Sequence, residues 1–437
     1  MNAYIPLEIK SRDFFPRLLL SLFLCKLGKI KVFIGHRSHV NFFAQNHQPG
    51  VYFGLATIRN FNELYKNIKK NGNFLFISDE EGLLTYQVSY YKKFKVSKEI
   101  INLCDGIFVW GKKNFQILKS LIPQKKLYLY GHPRIDLLHP KFKNIYKEEL
   151  SNIKKKYGKY ILICTTFSYI NYFEQNIKYV DLLKKRDFFR SEKDIRDWKQ
   201  YEILKNKIKN ELFKYIREFS LKNNKINILI RPHPSESEEM YSDLKKIPNV
   251  HLSNEYSVHP WILGCEFLIN HYCTTTFEGL AAKKKIFTIK TYKQSKMENP
   301  DFFKLTKVFN NCNEFLNYNF KDNFDFNKKI KLAKKYVENF ASNSFASKLI
   351  AKEIINHINN KEFNKKKIYL LKYKIKMLFI YCKNFFFRKH NYVTHKIKKI
   401  EKYEIIEFIS KIPYFKNQFN ITKICENFFE ISYVKKK

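Results

Sequence analysis

Three short stretches carry residue types that can hold a phosphate or move a proton. In the first, the apolar run Ile226–Ile230 leads directly into Arg231-Pro232-His233-Pro234. An arginine can fork two hydrogen bonds to phosphate oxygens and a histidine can donate another. The flanking prolines hold both donors in place by removing backbone freedom. In the second, "FLINHYCTTTFEGLAA", His271 follows an apolar run and Thr274, Thr275 and Thr276 precede a helical pattern holding Glu278 in its first turn. Threonine hydroxyls and open backbone N–H groups there suit an anion, and Glu278 can reach a ribose diol. Those same residues would equally make an ordinary capped helix start. The third stretch, "FISDEEG", ends an apolar run with Asp79, Glu80 and Glu81 ahead of Gly82. Carboxylates this close raise at least one pKa, and such a group can serve as general base. Two weaker candidates are Glu8 with Arg12, which could touch an acceptor or pair with each other, and His132 with Arg134 and Asp136, which could line a cleft or pin a linker.

The elements that position these groups alternate in type. In the first 150 residues, the apolar runs "AYIPLEI", "KVFIG", "GVYFGLA", "NFLFIS", "GIFVWG" and "KLYLYG" read as strands, separated mainly by helical patterns. The pattern restarts at "KYILICTTF" and continues through "INILI", "NVHLS", "EFLIN" and "KIFTIK". Strands alternating with helices predict an α/β chain of two doubly wound, mostly parallel sheets. In such sheets ligands bind beyond the carboxyl ends of the strands, which is where the candidate residues fall. The expected domains are 1–150, 151–326 and a helical, basic, aromatic-rich extension over 327–437.

Hydrophobic residues make up 45% of the 437, enough for two cores. No apolar run reaches the roughly 18 residues of a membrane-spanning helix. "LLLSLFLC", Leu18–Cys25, lacks a following small-residue cleavage site, so the expected location is the cytoplasm. The eight cysteines form no CxxC pair and read as reduced core thiols. No metal site is expected, since the chain has no DxD motif. The net charge of +42 is almost all lysine, alongside abundant Asn, Ile, Phe and Tyr. That mixture, without a zinc-finger, RRM or KH signature, argues against a nucleic-acid partner. The stretch "KKKIYLLKYKIKMLFIYCKNFFFRKH" suits either an anionic membrane surface on the inner face or a helix packed back on the first domain.

Together, "YIPLEIKSRDF", "DEEG", "GHPRIDLL" and "RPHP…NHYCTTTFEGLAA" resemble the bacterial surface carbohydrate biosynthesis proteins. Through them the chain is similar to bacterial sialyltransferases and capsule Kdo transferases over residues 1 to 300. Glu80-Glu81-Gly82, His233-Pro234 and Thr274–Thr276 match that group's D/E-D/E-G, HP and Ser/Thr motifs in order, with threonines replacing serines. The resemblance implies a metal-independent GT-B glycosyltransferase, two Rossmann-like domains facing across a cleft. Its donor would be a CMP-activated 2-keto acid sugar such as Kdo or a sialic-type sugar, with no other cofactor, and its acceptor a glycan or lipid-linked glycan. It also implies roles: Glu80 or Glu81, before Asp79, as base; His233 and Arg231 on the leaving phosphate; the threonines as further phosphate contacts; Glu278 on the ribose. The alternatives are a CDP-glycerol-type transferase or UDP-sugar epimerase on a similar fold, and a non-enzymatic basic protein binding membrane or nucleic acid.

Overall fold

The computed structural model describes the chain apart from residues 84–87, 124–125, 175–177, 294, 360–398 and 435–437. The basic stretch 365–390, and any membrane contact read from it, lies outside the described residues. Two compact units emerge. One comprises 1–83, 95–145 and 335–437; the other comprises 84–94 and 146–334.

The sheet of the first unit contains β1 (Asn2–Leu7), β2 (Lys31–His36), β3 (Val51–Gly54), β4 (Phe74–Ser78), β5 (Gly106–Val109) and β6 (Leu127–Leu129). These six are parallel, in the order β2-β1-β3-β4-β5-β6. Their nearly continuous apolar sequence follows from helices covering both faces of a parallel sheet. The chain starts in the interior at β1, adds β2 on one side, then crosses to β3 on the other, so the strand order reverses at β1/β3. The helix Lys10–Gly28 is apolar almost all round and buried along Leu18–Cys25, as a helix packed on two sides must be. The Asp13 carboxylate accepts the backbone N–H groups of Glu8 and Ile9 at its start, at 3.0 and 2.9 Å. The return helix Ala346–Asn359 packs along it.

The expected helical extension from 327 holds the helices Phe326–Ala333, Ala346–Asn359 and Lys402–Ser410, and is corrected at its end. Residues 402–433 form the helix Lys402–Ser410 and then a hairpin, β13 (Phe419–Cys425) and β14 (Phe428–Tyr433). β14 runs antiparallel to β2, with Phe428 opposite Gly35 and Ile431 opposite Val32. This extends the sheet to eight strands. Alternating side chains across two short strands, joined at Asn427 in the left-handed region (φ 57°), produce this hairpin.

The second unit has β7 (Tyr160–Cys164), β8 (Asn227–Arg231), β9 (Val250–Leu252), β10 (Phe267–Asn270), β11 (Lys285–Ile289) and β12 (Lys307–Phe309). All are parallel, in the order β12-β11-β10-β7-β8-β9, and the order reverses at β7/β10. The 31-residue helix Glu192–Lys222 spans the gap between β7 and β8. Ser191 caps its start, and Trp198, Tyr201, Ile208, Leu212, Tyr215 and Phe219 bury one face. Among the described residues, no helix is long and apolar enough to cross a membrane.

Candidate active site: two sets of residues at strand ends

In the first unit, β4 delivers Asp79-Glu80-Glu81, and the three carboxylates have different surroundings. Glu80 is buried and accepts from Arg17 Nε at 2.9 Å, while Arg17 also donates to the Phe53 carbonyl at 3.0 Å. Its second oxygen stands 3.3 Å from His132 Nε2. Burial opposes the charge on Glu80, but His132 and Arg17 outweigh it and hold this carboxyl well below the usual carboxylate range. His132 lies flat on Trp110, with centroids 3.9 Å apart. Its Nδ1 accepts the Arg134 backbone N–H at 3.2 Å, which assigns the ring proton to Nε2, facing Glu80. Burial holds that imidazole below its usual pKa, with Glu80 acting the other way. Glu81 is half exposed and pairs with Lys95 and Arg12.

Asp79 differs from both. Its Oδ1 accepts the Glu81 backbone N–H at 2.9 Å, while Oδ2 is buried and has no hydrogen-bond partner among the described residues. Burial pushes Asp79 up to about 6, against the pull of Lys95 and the Glu81 N–H. Ser78 Oγ and Asn114 Oδ1, on β4 and beside Gly82, are likewise buried without partners among the described residues. Buried polar atoms are nearly always satisfied, and these three around one strand end lack a partner among the described residues.

Glu8 and Arg12 pair with each other at 3.3 Å, and Arg37 adds a second cation to Glu8. Arg134 is buried with its guanidinium 5.7 Å from the Trp110 ring centroid. Asp136 takes the pinning role: it accepts from Asn339, Ala346 N and the Ser347 N–H and hydroxyl, which fixes the start of the return helix.

In the second unit, the turn after β8 presents His233 half-buried. Its Nδ1 accepts the Ser235 N–H at 3.2 Å, so the Nε2 proton becomes the donor. Arg231 donates to the carbonyls of Glu255 and Tyr256, at 2.7 and 2.6 Å, so it fixes the loop after β9 as well as standing beside His233. Burial lowers its pKa to about 10. Two of the three threonines are turned inward. Thr275 Oγ1 accepts from Asn270 Nδ2 at 3.0 Å and Thr276 Oγ1 donates to Asn270 Oδ1 at 3.2 Å, whereas Thr274 is half-buried at the helix start. Glu278 is buried 3.3 Å from His259 Nε2, and His259 Nδ1 meets the Tyr146 hydroxyl at 2.7 Å. Thr275, Thr276 and Glu278 are thus engaged within the unit.

His271 belongs to a buried relay that the sequence did not reveal. Lys205 Nζ reaches Thr166 Oγ1 at 3.1 Å and His271 Nδ1 at 3.3 Å; His271 Nε2 meets the Tyr292 hydroxyl, which donates to Glu298 at 2.9 Å. Burial drives His271 well below its usual pKa and Lys205 down to about 8. Of this relay, Thr166 and His271 line a cavity at the β7/β10 reversal, together with Thr165, Asn270 and Thr291. Glu236 was also missed. It is buried and ties Thr165 and Phe167 N to the turn after His233. The only sequence sign of Arg17 and Lys205 was a charge within an apolar helical pattern.

Among the described residues no group of His, Cys, Asp and Glu could hold a metal ion. Two doubly wound units in one chain, with the C-terminal segment returning to the first, are the element plan of the GT-B class. No protein-family model and no curated protein matches the chain. Among solved structures it is similar to the UDP-GlcNAc 2-epimerase of Neisseria meningitidis bound to UDP-GlcNAc, at 12% identity, 82% of this chain, 99% of that one and a TM-score of 0.48. It is also similar to S. aureus MnaA with UDP, at 13% identity, 82% and 96% coverage and a TM-score of 0.49. For the wall teichoic acid polymerase TagF the values are 14%, 71%, 74% and 0.40.

Proposed function

We propose that this chain is a glycosyltransferase of surface-glycan synthesis, taking a sugar from a CMP-activated donor to a glycan hydroxyl. The observation that carries the reading is Asp79: one oxygen is held by the Glu81 N–H, the other is buried with no partner among the described residues, and the pKa is about 6. A general base works best with a pKa near the working pH. Glu80 is neutralised by Arg17, and Glu81 is engaged with surface cations. Base duty therefore moves to Asp79, ahead of the two glutamates the motif resemblance favours.

On this reading Asp79 Oδ2 takes the proton of the acceptor hydroxyl as its oxygen bonds to the anomeric carbon. The bond from that carbon to the phosphate oxygen breaks, and its electrons leave with CMP. In the second unit, the His233 Nε2–H beside Arg231 is a donor suited to a nucleotide phosphate. The donor would be a 2-keto acid sugar of the Kdo or sialic type, and the acceptor a lipid-linked or capsular glycan.

Thermal unfolding with CMP, CDP, UDP and GDP, on wild type beside His233→Ala, tests the nucleotide assignment. Stabilisation by CMP that His233→Ala loses is the expected result. A preference for UDP, with UDP-sugar turnover in the absence of acceptor, would replace the transferase with an epimerase.

A further inference from the structure

The outward face of helix Glu192–Lys222 carries a line of charge that the proposed reaction does not use. Arg196, Lys199, Lys207, Lys214 and Arg217 are all exposed. At about 3.6 residues per turn they project within one narrow stripe, opposite the buried Trp198–Phe219 face. No acidic residue interrupts that stripe between Arg196 and Arg217. Glu202, Glu211 and Glu218 sit half-buried on its flanks, and Glu218 stands 4.0 Å from Lys214.

Two large aliphatic side chains share the line. Ile203 is 71% exposed and Leu221 83%, the two most exposed of the large hydrophobic side chains among the described residues. They stand a whole number of turns apart, so both leave the helix in the same direction. A scattered exposed aliphatic needs no explanation. Two collinear ones set among cations, on a straight stripe about 32 Å long, fit a flat anionic surface with an apolar layer beneath it.

We propose that this helix face seats the protein on an anionic lipid surface, with the basic side chains at the headgroups and Ile203 and Leu221 entering the acyl boundary. The two aliphatics decide between lipid and a soluble polyanion, because they gain nothing against phosphodiesters or sulfates. This surface is independent of the proposed catalysis and of the basic stretch 365–390.

Flotation of the full chain with vesicles tests it, using phosphatidylcholine alone and phosphatidylcholine mixed with phosphatidylglycerol. Wild type should float with the anionic vesicles only. The triple variant Lys199→Glu, Lys207→Glu, Lys214→Glu should lose binding by about tenfold or more. The double variant Ile203→Ser, Leu221→Ser should also bind more weakly despite its full charge. Unchanged unfolding midpoints would show that both variants still fold, as expected for exposed positions. Wild-type affinity for anionic vesicles in the triple variant would overturn the proposal. So would an unaltered double variant whose binding heparin displaces, since that result would make the stripe a polyanion site.

Discussion

Arg17 Nε and Nη2 each stand 2.9 Å from the same carboxylate oxygen of Glu80, both side chains being almost wholly buried. The helix Lys10–Gly28 thereby ties its second turn to the end of β4. Removing one partner of a buried pair strands the other charge, at a cost of about 3–5 kcal/mol. Glu80→Gln should therefore lower the unfolding free energy by about that much in a denaturant titration. Glu81→Gln, at a half-exposed surface pair, should cost under about 1 kcal/mol. Equal effects would mean that Glu80 is not locked by Arg17.

The pH dependence of transfer should follow Asp79. Its pKa of about 6 exceeds its ordinary value of 3.8 because burial penalises the charge. The rate should fall about tenfold per pH unit below 6, as the base becomes protonated. Stability runs the opposite way. A raised carboxyl pKa gives a contribution that is full below about 4 and is lost as pH rises through about 6. The stability of wild type relative to Asp79→Asn should decline over that window, and a flat difference would show that Asp79 is not perturbed.

Lys205 should leave its own signature in the second unit. Its pKa is lowered from 10.5 to about 8 by burial, so protonation is disfavoured in the folded state. Its unfavourable contribution is present below about 8 and fades as pH rises toward 10.5. Chemical denaturation of Lys205→Met and wild type, compared between pH 7 and 10, should show the variant's advantage shrinking by roughly 3 kcal/mol. A constant difference would place Lys205 in contact with water.

Gly35 of β2 packs closely against the start of β14, with Phe428 opposite it. A Cβ there would lie 2.1 Å from the Asn427 carbonyl oxygen. Gly35→Ala should push the hairpin off the sheet edge, costing about 1–3 kcal/mol. Limited proteolysis should then cut faster within 411–434.

The eleven strands from β1 to β11 were legible because each is a short apolar run closed by turn residues, the pattern a covered parallel sheet imposes. β12, Lys307–Phe309, was not read as a strand, although it is no shorter than β6 or β9. The β13–β14 hairpin was lost inside a lysine- and aromatic-rich tail whose composition read as helical. Its turn is Glu426-Asn427, not the usual Asn-Gly signal. The sites were legible as strand-end motifs, but the partners were not. Arg17 meets Glu80 across 63 residues and Lys205 meets His271 across 66. Such partners decide which carboxylate stays free and which threonines turn inward, and no spacing rule reports them.

The sheet of the first unit joins β1–β6 to β13 and β14, which lie beyond the whole second unit in the sequence, and this sets when it can be completed. Until β14 leaves the ribosome, β2 presents an open edge and Lys10–Gly28 lacks the full cover of its return helix. The second unit, closed by residue 334, is complete about a hundred residues sooner. At about 5–20 residues per second that interval is roughly 5–20 s. The half emerging first therefore matures last, with an exposed strand edge for the whole delay.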